Sequence, residues 1–162
     1  MIPTGLKKRL LAAIGAGAIA IAGVMVSWHE GTRYTPYKDA GRGVLTVCEG
    51  HTGPDVVPGK TYTPGECATL KNRDLTKAAQ DVDRLVKVPL TDPERAALID
   101  FAFNAGAGNL ARSTLLRKLN AGDYDGACQE YRRWVFANGK RLRGLENRRE
   151  AEAWLCSQTS TR

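Results

Sequence analysis

The stretch EGTRYTPYKDAGRGVLTVCEGHTG, residues 30–53, places two carboxylic acids and a threonine within a short run of chain. Eight residues separate Glu30 from Asp39, and six separate Asp39 from Thr46. That set suits hydrolysis of a glycosidic bond. One carboxylic acid protonates the leaving oxygen, and the second carboxylate handles the developing oxocarbenium charge or the incoming water. A threonine can hold that water by hydrogen bonding without ionising. Local chemistry shapes the stretch into one wall of a cleft. Glu30-Gly31 ends a helix, Pro36 keeps Tyr34–Tyr37 extended, and Ala40–Gly43 is a turn into the strand Val44–Val47. Taken alone, a Glu and an Asp beside a glycine-rich turn are ordinary surface charges.

Downstream, Thr63-Pro-Gly-Glu66 marks a helix start, with Thr as cap, Pro in the first turn and Glu completing a capping box. Leu75, Ala79, Val82 and Val86 continue a helical stripe long enough to link two lobes. Thr91-Asp-Pro-Glu94 repeats the signature ahead of a helix ending near Ala105-Gly106. Further helices are expected over Ser113–Asn120, from Asp123 through Arg132, and over Arg148–Cys156. Short strands early and helices afterwards predict an α+β fold.

The catalytic block resembles the signature of the phage-type lysozymes, glycoside hydrolase family twenty-four. The second gap is one residue longer than the family's, and the extra residue falls in the Gly41-Arg-Gly43 turn, where glycines absorb it. The resemblance continues through the stretches 94–106, 113–118, 132–134 and 144–149, in order, over about 130 residues. It implies a two-lobed fold with a small N-terminal β-sheet lobe and a mainly helical C-terminal lobe. It assigns Glu30 as general acid, Asp39 as base or electrostatic partner and Thr46 as the water-positioning group. It makes His51 a structural partner of Asp74 and puts Phe103 against the sugar, although Phe103 also suits the apolar stripe of its helix. No metal ion and no organic cofactor is implied. His29 carries no motif and reads as solvated.

The chain carries a net charge of +7, which calls for an acidic partner. Basic residues gather at Lys7–Arg9 and across Arg132, Arg133, Lys140, Arg141, Arg143, Arg148 and Arg149. No nucleic-acid-binding signature accompanies them, and peptidoglycan, with its peptide carboxylates, fits the carboxylate block better. A solvated basic face is the plain alternative.

Lys7–Arg9 precedes the apolar stretch Leu10–Val26, at the short end of what spans a bilayer. Its many Ala and Gly residues make its membrane affinity weak. A basic flank before an apolar run is an export pattern rather than a core helix. Ala20-Ile-Ala22 would suit a cleavage site. The composition and its place just ahead of Glu30 resemble the releasable anchors of signal-arrest-release endolysins. The expected organisation is therefore an anchor over 1–27 and a catalytic domain over 28–162, tethered to the host inner membrane, facing the periplasm and later soluble there. Four cysteines suit an oxidising compartment. Three pairings can be drawn. The lobe-local one, Cys48–Cys67 with Cys128–Cys156, closes the shortest total loop and respects the two-lobed plan.

The expectation is a monomeric muramidase acting on the β-1,4 bond between N-acetylmuramic acid and N-acetylglucosamine, without nucleic acid as partner. Its rivals are a lytic transglycosylase, which needs only the acid, and a membrane-anchored peptidoglycan-binding protein without activity.

Overall fold

The computed structural model describes residues 1–40 and 43–158. The apolar N-terminal run, expected as one segment, is two helices, α1 (Thr4–Ala13) and α2 (Ala18–Glu30). Gly15 and Gly17, at φ of +100° and +94°, make the break between them. No helix among the described residues is long and apolar enough to cross a membrane. Leu6 and Leu10 of α1 and Ile21, Ala22, Met25 and Val26 of α2 are fully buried in the main core. In this arrangement the run is folded onto the body as core helices. Apolar surface that is not in lipid has to be buried against protein.

After α2 the chain enters an antiparallel sheet, β1 (Arg33–Lys38), β2 (Leu45–Cys48) and β3 (His51–Thr52), in that spatial order. Tyr37 pairs with Thr46, and Val47 with His51. The extra residue assigned to the Gly41-Arg-Gly43 turn falls at positions 41 and 42, outside the described residues. A small core of Val47, Cys48, Val56, Tyr62 and Cys67 backs the sheet.

Helix α3 (Pro64–Leu85) leads from this lobe into the helical one, a span of about 33 Å at 1.5 Å per residue. Both capping boxes form: Thr63 with Glu66 on α3, and Thr91 with Glu94 on α4 (Asp92–Ala105). Helix α4 packs against α2, α3 and the last helix, α8 (Arg143–Cys156), and supplies the largest single share of the core, with Ala96, Ile99 and Phe101 fully buried. Short helices follow: α5 (Ala107–Ala111), α6 (Thr114–Asn120) and α7 (Tyr124–Glu130).

Three local expectations need correction. The helix capped by Asp123 stops at Glu130 and tightens into a 3-10 turn, Tyr131–Arg133. Beyond it stands an unexpected hairpin, β4 (Phe136–Ala137) and β5 (Lys140–Arg141). The last helix, α8, runs Arg143–Cys156 and starts five residues before Arg148, because the Leu142 carbonyl already accepts from Glu146 N–H at 3.0 Å. The disulfides are Cys48–Cys67, joining β2 to α3, and Cys128–Cys156, joining α7 to α8.

Candidate active site

Glu30 is the last residue of α2, and Gly31, at φ +64°, turns the chain into β1. Its carboxylate leans over the β2–β3 turn at Gly50. A Cβ built on Gly50 would lie 2.8 Å from Glu30 Oε2. Gly50 also has φ +75°, so backbone conformation and the acid's proximity both require a residue without a side chain there. From the other side, Arg148 Nη1 donates to Glu30 Oε1 at 2.5 Å. Arg148 is itself held by Asp100 through two bonds, Nε to Oδ2 at 3.0 Å and Nη2 to Oδ1 at 2.8 Å. Burial alone would raise the Asp100 carboxyl, but the Arg148 charge and hydrogen bonds hold it below its ordinary value.

Asp39 follows β1. Its N–H donates to Val44 O at 2.9 Å and its carbonyl accepts from Gly43 N–H at 2.6 Å, which fixes the backbone under the carboxylate. Glu30 and Asp39 line one cleft of about 370 Å³. Asn104, Asn109 and Arg149 add polar groups to it; Trp134, Phe136, Leu142 and Leu145 form an apolar wall. Thr46 is not on this surface. It is 1% exposed, and its hydroxyl donates to Val44 O at 3.3 Å.

Phe103 lines a second hollow of about 180 Å³ with Gly50, Thr52, Asp74 and Lys77. Because Gly50 touches Glu30, this hollow meets the acid from the sheet side. Phe103 also packs against the main core, so both of its expected roles are compatible with its place.

His51 is buried and meets Asp74 through Nδ1 at 2.7 Å. Its Nε2 meets Asp55 at 3.0 Å, and Arg73 donates to Asp55 at 2.6 Å. The Arg73 and His51 bonds lower the Asp55 carboxyl to about 2. The imidazole therefore clamps the sheet lobe to α3 and has no place in the cleft lining.

Two expectations about charge are overturned. His29 is half-buried rather than solvated, and its Nε2 is buried with no protein partner. Desolvation lowers its pKa to about 4 against the pull of Asp100, with Arg148 and Arg149 adding to the depression. Arg148 and Arg149 do not belong to a basic surface. They are 3% and 1% exposed and sit inside the molecule among carboxylates. Helical spacing in Arg148-Arg149…Glu152 places Glu152 within reach of both, a pattern legible in the sequence. The wall residues Phe136 and Leu142 could have been found from Asn138-Gly139, a strong two-residue hairpin turn signal. Both turn residues have positive φ, +51° and +73°. Nothing local links Arg148 to Glu30.

Residues 27–152 match the phage lysozyme family. A protein called a SAR-endolysin, from Bacteriophage PS119, is 50% identical over 157 residues, covering 93% of each chain. Among solved structures, the active form of the P1 phage endolysin Lyz aligns with a TM-score of 0.77 at 26% identity, over 93% of this chain and 90% of that one. The secreted inactive form of the same endolysin aligns with a TM-score of 0.52 at 27% identity, over 64% of this chain and 74% of that one.

Proposed function

The chain belongs to the phage lysozyme family, and from that membership we propose that it is an endolysin muramidase that breaks the β-1,4 bond between N-acetylmuramic acid and N-acetylglucosamine. The observation that carries this reading is the shared cleft, with Glu30 and Asp39 on one groove and sugar-sized walls beside them. Glu30 gives its proton to the glycosidic oxygen as the bond breaks. Asp39 stabilises the oxocarbenium charge and takes a proton from the attacking water, so the sugar inverts. Thr46 acts from beneath the cleft, because its buried hydroxyl donates to the same Val44 carbonyl that accepts the Asp39 N–H and so holds the base in register. Phe103 and Trp134 offer aromatic faces to the sugar rings on either side of the acid. Glu30→Gln should fold normally and lose nearly all turbidity reduction on outer-membrane-permeabilised cells. Retention of more than a few per cent of activity would remove Glu30 from the mechanism. New reducing ends on the products separate hydrolysis from transglycosylation.

The N-terminal segment is a releasable anchor in the same proposal. Lys7–Arg9 stays cytoplasmic while the apolar run lies in the inner membrane and the enzyme body faces the periplasm. Support comes from the SAR-endolysin relatives and from the fit to the active rather than the inactive P1 endolysin. In the bilayer, α1 and α2 cannot make their core contacts, and Glu30 is drawn to the headgroups. Release lets both helices fold onto the body and brings Glu30 to Arg148. Collapse of the membrane potential should move the protein, and its activity, from the membrane fraction to the soluble one.

A further inference from the structure

One carboxylate outside the cleft lining holds the chain on both sides of the acid. Glu49 stands in the β2–β3 turn beside Gly50, the residue against which the Glu30 side chain lies. Ser27, three residues before Glu30 on α2, donates from Oγ to Glu49 Oε2 at 2.9 Å. Thr32, two residues after Glu30, donates to Glu49 Oε1 at 3.3 Å. Between those two points lies Gly31, whose φ of +64° turns the chain sharply out of α2. Arg148 holds the Glu30 carboxylate from the helical lobe; Glu49 holds the backbone that carries it from the sheet lobe.

The turn is fixed in its own right to α3. Cys67 and Lys71 are four residues apart on that helix and so share one face. Cys67 is bonded to Cys48, and Lys71 Nζ lies 3.2 Å from Glu49 Oε2. Adjacent residues of the turn are therefore tied to α3, one covalently and one by charge. Lys71 also donates to Ser27 Oγ at 2.9 Å, so the serine hydroxyl gives one bond and receives one. Ser27, Glu49 and Lys71 close a triangle between α2, the sheet and α3. The Glu49 and Lys71 side chains are 15% and 23% exposed, and with little water to compete their bonds tighten.

We propose that Glu49 is a positioning residue for Glu30, gripping Ser27, Thr32 and Lys71 so that the acid is placed only when α2 has docked on the body. This rests on Glu30 being the acid and on the release of the N-terminal segment. Ser27 belongs to the run that moves. With α2 in a bilayer, Ser27 is withdrawn, Glu49 keeps Lys71 alone, and Gly50 has no acid against it. Docking restores the serine and draws the last turn of α2, Glu30 included, onto the β2–β3 turn. A displacement of about 1 Å at a reacting group can cost about a hundredfold in rate, so a loose bracket is felt in the chemistry.

Glu49→Ala should lower kcat about tenfold or more on a soluble oligomer of N-acetylglucosamine and N-acetylmuramic acid, measured well below the variant's melting temperature. KM should stay within about twofold, since the walls of the cleft keep their side chains. Glu49→Gln should restore most of kcat, because its amide oxygen accepts from Ser27 and Lys71 and its amide nitrogen donates to the Thr32 hydroxyl. Adding Ser27→Ala to Glu49→Ala should cost nothing further, whereas independent effects multiply. Hydrogen exchange needs no substrate: amides of residues 28–30 should exchange faster in Glu49→Ala, with those of α4 unchanged. A merely structural ion pair would lower the melting temperature and leave kcat and those amides at the parent values, and that result overturns the proposal. So does a Glu49→Gln variant as slow as Glu49→Ala, or multiplied losses in the double variant. If Glu49→Ala does not fold, the milder Ser27→Ala and Thr32→Ala are read by the same two measurements. A lytic Glu30→Gln variant strikes the acid assignment instead, and the exchange result stands apart from it.

Discussion

Gly50 and His29 show how single residues near the acid carry structural demands that their chemistry alone does not announce. Any side chain at Gly50 meets the Glu30 carboxylate and strains a left-handed backbone. Gly50→Ala should therefore lower stability by about 1–2 kcal/mol. It should lower activity by much more, at least tenfold, because Glu30 is pushed off Arg148; comparing melting with the lysis rate checks this. His29 predicts a pH effect. Unfolded, it takes up a proton near pH 6.5; folded, it refuses one until about pH 4. The unfolded state thus binds more protons in that window, and stability falls as pH drops from 6.5 to 4. Glu152 acts in the opposite sense above its ordinary range, since burial raises it. The His29 share is therefore the difference in slope between melts of the parent and of His29→Gln, and an identical slope would refute it. Asp55, lowered to about 2, loses its contribution in a separate window, as pH falls from 3.8 towards 2.

At the scale of elements, the two disulfides have different work. Cys128–Cys156 closes a separation of 28 residues between α7 and α8, inside the helical lobe and away from the cleft lining. Replacing both cysteines with Ser should lower stability by about 3–4 kcal/mol by the loop-entropy relation. Activity at low temperature should hardly change. Cys48–Cys67 closes 19 residues and ties β2 to α3, and β2 is the strand paired with the one that delivers Asp39. Its removal should lower stability by about 3 kcal/mol and also reduce kcat. Urea unfolding and single-temperature kinetics on both double variants test the contrast, which fails if the two lose activity equally. The β4–β5 hairpin matters at this scale too, since it carries Phe136, 61% exposed, on the apolar wall of the cleft.

For the whole molecule, the break between α1 and α2 is the feature on which the proposed release turns. Gly15 and Gly17 allow positive φ with open space around them, while a Cβ on Gly23 would meet Leu75 at 3.6 Å. Changing all three to Leu should deepen the segment's hold on lipid. It should also oppose the helix–turn–helix fold, because Leu avoids left-handed backbone. Lysis should be delayed and the protein should stay in the membrane fraction. Lysis on the normal schedule, or a mature chain beginning at Gly23, would replace the anchor with a cleaved signal peptide.

What the sequence by itself determined was local. Caps at Thr63 and Thr91, the extended Tyr34–Tyr37 segment, the strand before His51 and the α+β order all follow from backbone chemistry acting over a few residues. The pairing of His51 with Asp74 came from family resemblance and the lobe-local disulfides from loop length and the two-lobed plan, and the structure contains both. Tertiary structure decided the rest. Arg148 reaches Glu30 across 118 positions of chain, His29 loses its water, and an apolar run that reads as a membrane segment becomes core. Each depends on where α2, α4 and α8 meet. Charge and hydropathy state what a segment can bury or pair with, but only packing supplies the surface and the partner.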